Sequence, residues 1–134
     1  MKMNMNNKIT SGKSLNKTKG DRGETIAAEF LQKIGYKIIK TKFRKGRNEI
    51  DIIAESESGV LNFIEVKTRF ESKFGKPYEA VDKNKLKKII EVSNFFLMNS
   101  NIDREKNFIN YGIVSIEYIE RSSIKLIFFE NILD

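Results

Sequence analysis

The chain has 134 residues, 40% hydrophobic and 32% charged, with 25 Lys and Arg against 18 Asp and Glu for a formal net charge of +7. That is one domain's length with enough apolar residue for a core, and no run reaches the roughly 20 apolar residues of a membrane span. His and Cys are both absent, which excludes a Ser-His-Asp triad, a cysteine nucleophile, a thiolate or imidazole metal site and a disulfide, and leaves acid–base and metal work to Asp, Glu and Lys.

Residues 1–19 contain no acid and no apolar periodicity, and Lys2, Lys8, Lys13, Lys17 and Lys19 are spread among Asn, Ser, Thr and Met. Composition predicts a disordered basic tail over 1–19, either a passive extension or a source of salt-sensitive affinity for nucleic acid. The first ten residues lack an apolar h-region, so no signal peptide is expected and the cytoplasm is the expected compartment. Gly12-Lys-Ser14 mimics the end of a P-loop, but Asn7 stands where its first glycine belongs.

Residues 20–134 read as a single domain. From Asp21 to Ile34 the spacing of Ala27, Ala28, Phe30, Leu31 and Ile34 predicts a helix that stops at Gly35. Glu24 lies on the apolar stripe. It is either an acid offered to a site or the last member of an Asp21-x-x-Glu24 capping box. Tyr36–Phe43 reads as a strand, and Arg44-Lys-Gly-Arg-Asn48 as a basic turn able to grip phosphates or simply to sit in solvent.

Glu49 to Arg69 reads as two strands paired antiparallel across the polar turn Glu55–Gly59. Alternation puts Glu49, Asp51 and Ile53 on one face of the first strand, and Phe63, Glu65, Lys67 and Arg69 on one face of the second. Charges inside otherwise apolar strands are costly unless paired or bound to metal. Asp51 and Glu65 suit Mg²⁺, which takes one or two carboxylates plus phosphate oxygens. Lys67, about 7 Å further along the strand, can orient water or neutralise developing charge. Glu49 is either a further acid of the site or the partner of Arg44 or Arg47.

Phe70–Glu79, with Gly75 and Pro77, reads as a loop over this stretch, bringing Lys73 and Lys76. Asp82 then caps a helix running to about Met98, whose core face is Leu86, Ile89, Ile90, Ser93, Phe96 and Leu97. Lys83, Lys85, Lys87 and Lys88 load its first turns with charge that a helix N-terminus disfavours, which points to an anionic partner. The candidate nucleic-acid contacts are Arg44, Arg47, Arg69, Lys83 and Lys85. Phe108–Ile119 and Ser123–Phe129 form a predicted hairpin with one wet face. Its aromatic residues, Phe108, Tyr111, Tyr118, Phe128 and Phe129, are assigned to the core. The order helix, three strands, helix, two strands suits an α/β sandwich with a mixed sheet.

Asp51 followed by Glu65-Val-Lys67 resembles the Asp…(Asp/Glu)-x-Lys signature of the restriction-endonuclease-like superfamily. A longer ordered set resembles the YraN-like family of bacterial proteins, itself similar to archaeal Holliday-junction resolvases. That set is Gly20-x-x-Gly-Glu24 with Ala27, Phe30-Leu31 and Gly35-Tyr36; Glu49–Ala54; Phe63–Arg69; and Gly75-x-Pro-x-Glu-Ala-Val81 with Lys85. The resemblance implies an α/β fold with a restriction-endonuclease-like core, a mixed five-stranded sheet flanked by two main helices. It implies a Mg²⁺-dependent (or Mn²⁺-dependent) DNA endonuclease acting on branched or structured DNA. Asp51, Glu65 and Lys67 would be catalytic, the two acids as metal ligands, with Glu24 and Glu49 in support. A homodimer is expected, since symmetric cutting of two strands needs two sites. The alternative is a nucleic-acid-binding module that keeps the fold and does not cleave. The chain departs from the family where Asn110-Tyr111-Gly112 replaces the usual Arg-Phe-Asp, and where Asn48 replaces the first residue of Gly-Glu-Ile-Asp.

Overall fold

The computed structural model describes residues 2–6, 15–70, 83–103, 108–120 and 123–133, with side chains described from Asp21 onward except at Phe70 and Glu120. Its elements are β1 (Lys2–Asn6), α1 (Leu15–Lys33), β2 (Lys37–Lys45), β3 (Asn48–Glu55), β4 (Leu61–Phe70), α2 (Lys83–Met98), β5 (Ile109–Glu120) and β6 (Ser123–Phe129). The strands form one sheet in the order β1-β6-β5-β4-β3-β2. All neighbours are antiparallel except β4 and β5, which are parallel from Leu61↔Ile109 to Phe70↔Tyr118. Parallel neighbours need a long crossover, and α2 lies within it. The expected mixed five-stranded sheet is therefore present as β2–β6, and β1 adds a sixth strand beside β6.

Two expectations for the N-terminal stretch are corrected. Residues 1–19, expected as a disordered tail, carry β1 and the start of α1. Residues 7–14 lie outside the described residues. Because α1 begins at Leu15, Asp21 is inside the helix and not at its cap, and its backbone carbonyl accepts the Thr25 hydroxyl at 3.0 Å. The capping box does not form. The C-terminus behaves as expected. Tyr36 N–H bonds the Leu31 carbonyl and Gly35 N–H that of Gln32, with Gly35 at φ 99°, a left-handed stop that glycine adopts without strain.

The two helices cover opposite faces of the sheet. Ala27, Phe30 and Leu31 of α1 pack on Ile52, Ala54, Ile64, Val114, Ile116 and Phe128. Ile89, Val92, Phe96 and Leu97 of α2 pack on Ile50, Ile53, Leu61, Phe63 and Tyr111. Each fully buried Leu, Ile or Phe contributes about 1.5–3 kcal/mol. With both faces covered, β5 is buried continuously from Tyr111 to Tyr118, Ser115 included. The expected wet face is absent from β5, while β6 keeps strict alternation. Tyr111, Tyr118 and Phe128 are core residues as expected, but Phe108, just before β5, is 79% exposed. The loop expected beyond Phe70 and the cap at Asp82 lie outside the described residues. Among the described residues, no helix is long and apolar enough to cross a membrane.

Helix α1 is seated on β4 at one glycine. A Cβ on Gly23 would stand 2.5 Å from Thr68 Oγ1. Gly23→Ala gains roughly 1 kcal/mol of helix propensity but meets an overpacking penalty of about 1–3 kcal/mol, so a net loss near 1 kcal/mol is expected in urea melts. Thr68→Ala removes the obstructing oxygen, and the double variant should show favourable coupling of about 1 kcal/mol or more. Strict additivity of the two changes is the result that contradicts this seating.

Candidate functional site

Asp51 lies where two strand pairings become irregular. The β3–β4 ladder runs from Glu55↔Leu61 to Ile52↔Ile64, and there it stops. Beyond it the Asp51 carboxylate takes over, its Oδ2 accepting the Val66 N–H at 2.8 Å. Alternation slips at the same level: Ile50 and Ile53 both face the α2 layer, while Ile52 and Ala54 face the α1 layer. On the other side, β2 holds Lys42 at φ 52°, between the pairs Thr41↔Ile52 and Phe43↔Ile50. A left-handed non-glycine residue costs about 1–3 kcal/mol. The Lys42 ammonium offsets part of this by pairing with Asp21 and reaching Glu24 at 3.8 Å, both on α1.

This irregularity collects acids. One carboxylate oxygen from each of Glu24, Glu49 and Asp51 lies within 4.8 Å of the other two. Glu24 and Asp51 share a hydrogen bond, and burial followed by the charge of Glu49 raises the Glu24 pKa against the opposing pull of Lys42. Asp51 is pushed from 3.8 up to about 7, by burial first and then by the charge of Glu65, with the Val66 hydrogen bond opposing. Asp51 thus carries a proton over much of the acidic range, and that proton is what two touching carboxyl groups require.

Glu65, Lys67 and Lys85 complete the cluster from β4 and α2. Lys85 Nζ lies 3.1 Å from Glu65 Oε1, while Glu65 Oε2 is buried with no hydrogen-bond partner among the described residues. The Lys67 and Lys85 amines are in hydrogen-bond contact. Burial lowers the Lys67 pKa, and adjacent Lys85 lowers it further. Burial also opposes the charge on Lys85, but contact with Lys67 and Glu65 outweighs it and raises that pKa. A cavity of about 610 Å³ opens onto the cluster, lined by Arg47, Asn48, Glu49, Asp51, Glu65, Asn84, Lys85, Lys88 and Ile89.

The expected site residues separate into groups. Asp51, Glu65, Lys67, Glu24 and Glu49 come together. Arg44 pairs with Glu49 at 2.8 Å across β2 and β3, the partner role foreseen for Glu49. Arg47 and Lys85 line the cavity. Arg69 and Lys83 do not; Arg69 is in register with buried Glu117 of β5, and Lys83 is exposed at the start of α2. Asn110-Tyr111-Gly112 lies in register with Asn62–Ile64, and Tyr111 is buried there, its hydroxyl 2.6 Å from Ser93 Oγ. Sequence reasoning missed Lys42, whose direction depends on a tertiary φ. It also missed Asn84 and Lys88 as cavity residues, although their i, i+4 spacing on the helix was a usable signal.

The donor set is all oxygen. The orphaned Glu65 Oε2 and the three clustered carboxylates fit a hard divalent cation such as Mg²⁺. Fold and cluster together define an α/β protein with a carboxylate and lysine site at one end of a mixed sheet. The family model described as Uncharacterised protein family UPF0102 matches residues 23–120, and the chain belongs to that family. A UPF0102 protein of Clostridioides difficile (strain 630) is 38% identical over 106 residues, 79% of this chain and 90% of that protein. A UPF0102 protein of Clostridium perfringens (strain SM101 / Type A) is 37% identical over 121 residues, 89% and 96% of the two chains. Among solved structures, Pyrococcus furiosus SfsA in complex with Ca²⁺ aligns at 15% identity, covering 82% of this chain and 61% of that one. Its TM-score of 0.31 is too low to inform the fold or the site.

Because the folded pKa of Asp51 lies above its ordinary value, the folded chain binds more protons than the unfolded chain between about pH 4 and 7. Stability should therefore fall as pH rises through that window. Asp51→Asn removes the ionisation and keeps an acceptor for Val66. It should stabilise the metal-free protein by roughly 2–4 kcal/mol at pH 8 and by almost nothing at pH 4. Chemical denaturation in EDTA at both pH values checks this, and a pH-independent difference contradicts it.

Proposed function

We propose that this protein is a Mg²⁺-dependent or Mn²⁺-dependent endonuclease with a restriction-endonuclease-like core, hydrolysing phosphodiester bonds in branched or structured DNA. The observation that carries the reading is the acid cluster around Asp51. It brings three carboxylates together at Asp51, lies beside the buried Glu65 Oε2 that has no partner among the described residues, and opens onto a cavity flanked by cations. Asp51 and Glu65 are the residues that would hold the ion, with Glu24 and Glu49 setting the charge around Asp51. A bound divalent cation supplies Lewis acidity and charge neutralisation at the phosphoryl group. Lys67, half-buried and with its pKa lowered by burial and by Lys85, is suited to accept a proton from water or donate a hydrogen bond to a phosphate oxygen. Symmetric cutting of two strands would call for a homodimer, and a chain without cysteine suits the cytoplasm.

One observation favours a second reading, a nucleic-acid-binding module that does not cleave. The Lys85 ammonium already neutralises Glu65 in part without any metal. A single assay separates the two. Purified protein is incubated with duplex, single-stranded, flap and four-way-junction DNA in Mg²⁺, Mn²⁺ or EDTA. Metal-dependent cutting is expected, strongest on the branched substrates, and reduced roughly 10²–10⁴-fold by Asp51→Asn, Glu65→Gln or Lys67→Ala. Salt-dependent binding with no cut in either metal would establish the second reading instead.

A further inference from the structure

The cavity is divided by charge. Its acids, Glu49, Asp51 and Glu65, belong to β3 and β4, while its cations, Arg47, Lys85 and Lys88, come from the β2–β3 turn and from α2. Lys85 is committed to Glu65 at 3.1 Å. Arg47 and Lys88 form no ion pair among the described residues, although each of the cavity's other charged groups is paired or hydrogen-bonded. Asn84 and Lys88 stand four residues apart on α2 and so share a face of that helix. The volume of about 610 Å³ is about 20 times a water molecule's share of the liquid, about 30 Å³. One phosphate leaves most of it empty.

We propose that Arg47, Asn84 and Lys88 form a subsite for a second phosphate of a polynucleotide strand, beside the phosphodiester that faces Asp51 and Glu65. This rests on the nuclease reading and narrows its substrate class. The ligand is a strand that continues past the cut, since one phosphate cannot fill both the acidic half and the basic flank of the cavity. The acidic half repels an anion unless a cation intervenes, whereas the basic flank attracts one directly. Strand capture and chemistry therefore fall to different residues. Arg47 can present a two-pronged donor to phosphate, Lys88 a point charge and Asn84 a neutral amide donor.

The test is binding of a labelled DNA duplex in EDTA, measured between about 50 and 200 mM salt. It compares wild type, the double variant Arg47→Ala/Lys88→Ala, and the charge-keeping variant Arg47→Lys/Lys88→Arg. Two lost phosphate contacts should flatten the log–log salt dependence by about 1.8, at about 0.9 per contact. The charge-keeping variant should retain the wild-type slope, which separates loss of charge from misfolding. An unchanged slope in the alanine variant overturns the subsite. Cutting by the wild type in Mg²⁺ is scored separately. Cutting with an unchanged slope removes the subsite alone, and a flattened slope without cutting removes the nuclease reading alone.

Discussion

Burying carboxylates at the end of a sheet requires positive charge nearby, and the cations that supply it tie the surrounding elements together. Lys42 joins β2 to Glu24 of α1, Arg44 joins β2 to Glu49 of β3, and Lys85 joins α2 to Glu65 of β4. An ion pair half out of water contributes little by itself. Removing one partner is a different matter, because it leaves a partly buried charge uncompensated. Asp51, at the centre, has no cation within ion-pair distance among the described residues. It is held by a backbone amide and by Glu24, and burial followed by the charge of Glu65 raises its pKa.

Topology explains why the helices converge here. Parallel pairing of β4 with β5 places α2 in the crossover on one face of the sheet, opposite α1. In a regular strand, a side chain at position 51 would point to one face only. The slip in alternation between Ile50 and Ile52 removes that restriction. Asp51 is thereby able to touch Glu24, which arrives with α1, and to feel Glu65, which lies on the α2 side with Phe63 and Lys85. The loss of regular pairing thus builds a site shared by both layers.

What the sequence made legible was local. Period-two alternation located β3, β4, β5 and β6 to within a residue or two, because each hairpin partner lies close in the chain. The acids and Lys67 were legible because charge inside such alternation is costly. Other features depended on distant parts of the chain. Met3 and Met5 alternate in β1, but two apolar residues among Asn and Lys do not outweigh a basic composition until β6 offers an edge. The first turns of α1, Leu15 to Gly20, lack a periodic apolar stripe, which made Asp21 look like a cap. Ser115 reads as a wet position and is buried, since β5 is central and covered on both faces. Lys42 is left-handed because of its neighbours, and no propensity of lysine predicts that.

The two oxygens of Glu65 differ in their surroundings, and the difference bears on how the cluster would respond to an ion. Oε1 is paired with Lys85, whereas Oε2 is buried and unpartnered. An uncompensated buried acceptor carries a penalty of about 1–3 kcal/mol, and no protein group among the described residues offsets it at Oε2. A cation bound at Oε2 would remove the penalty without breaking the Lys85 pair. It would also lower the cost of ionising Asp51, now raised by burial and by the charge of Glu65 itself. The two acids would then be coupled: the ion that relieves one makes the charged form of the other less costly.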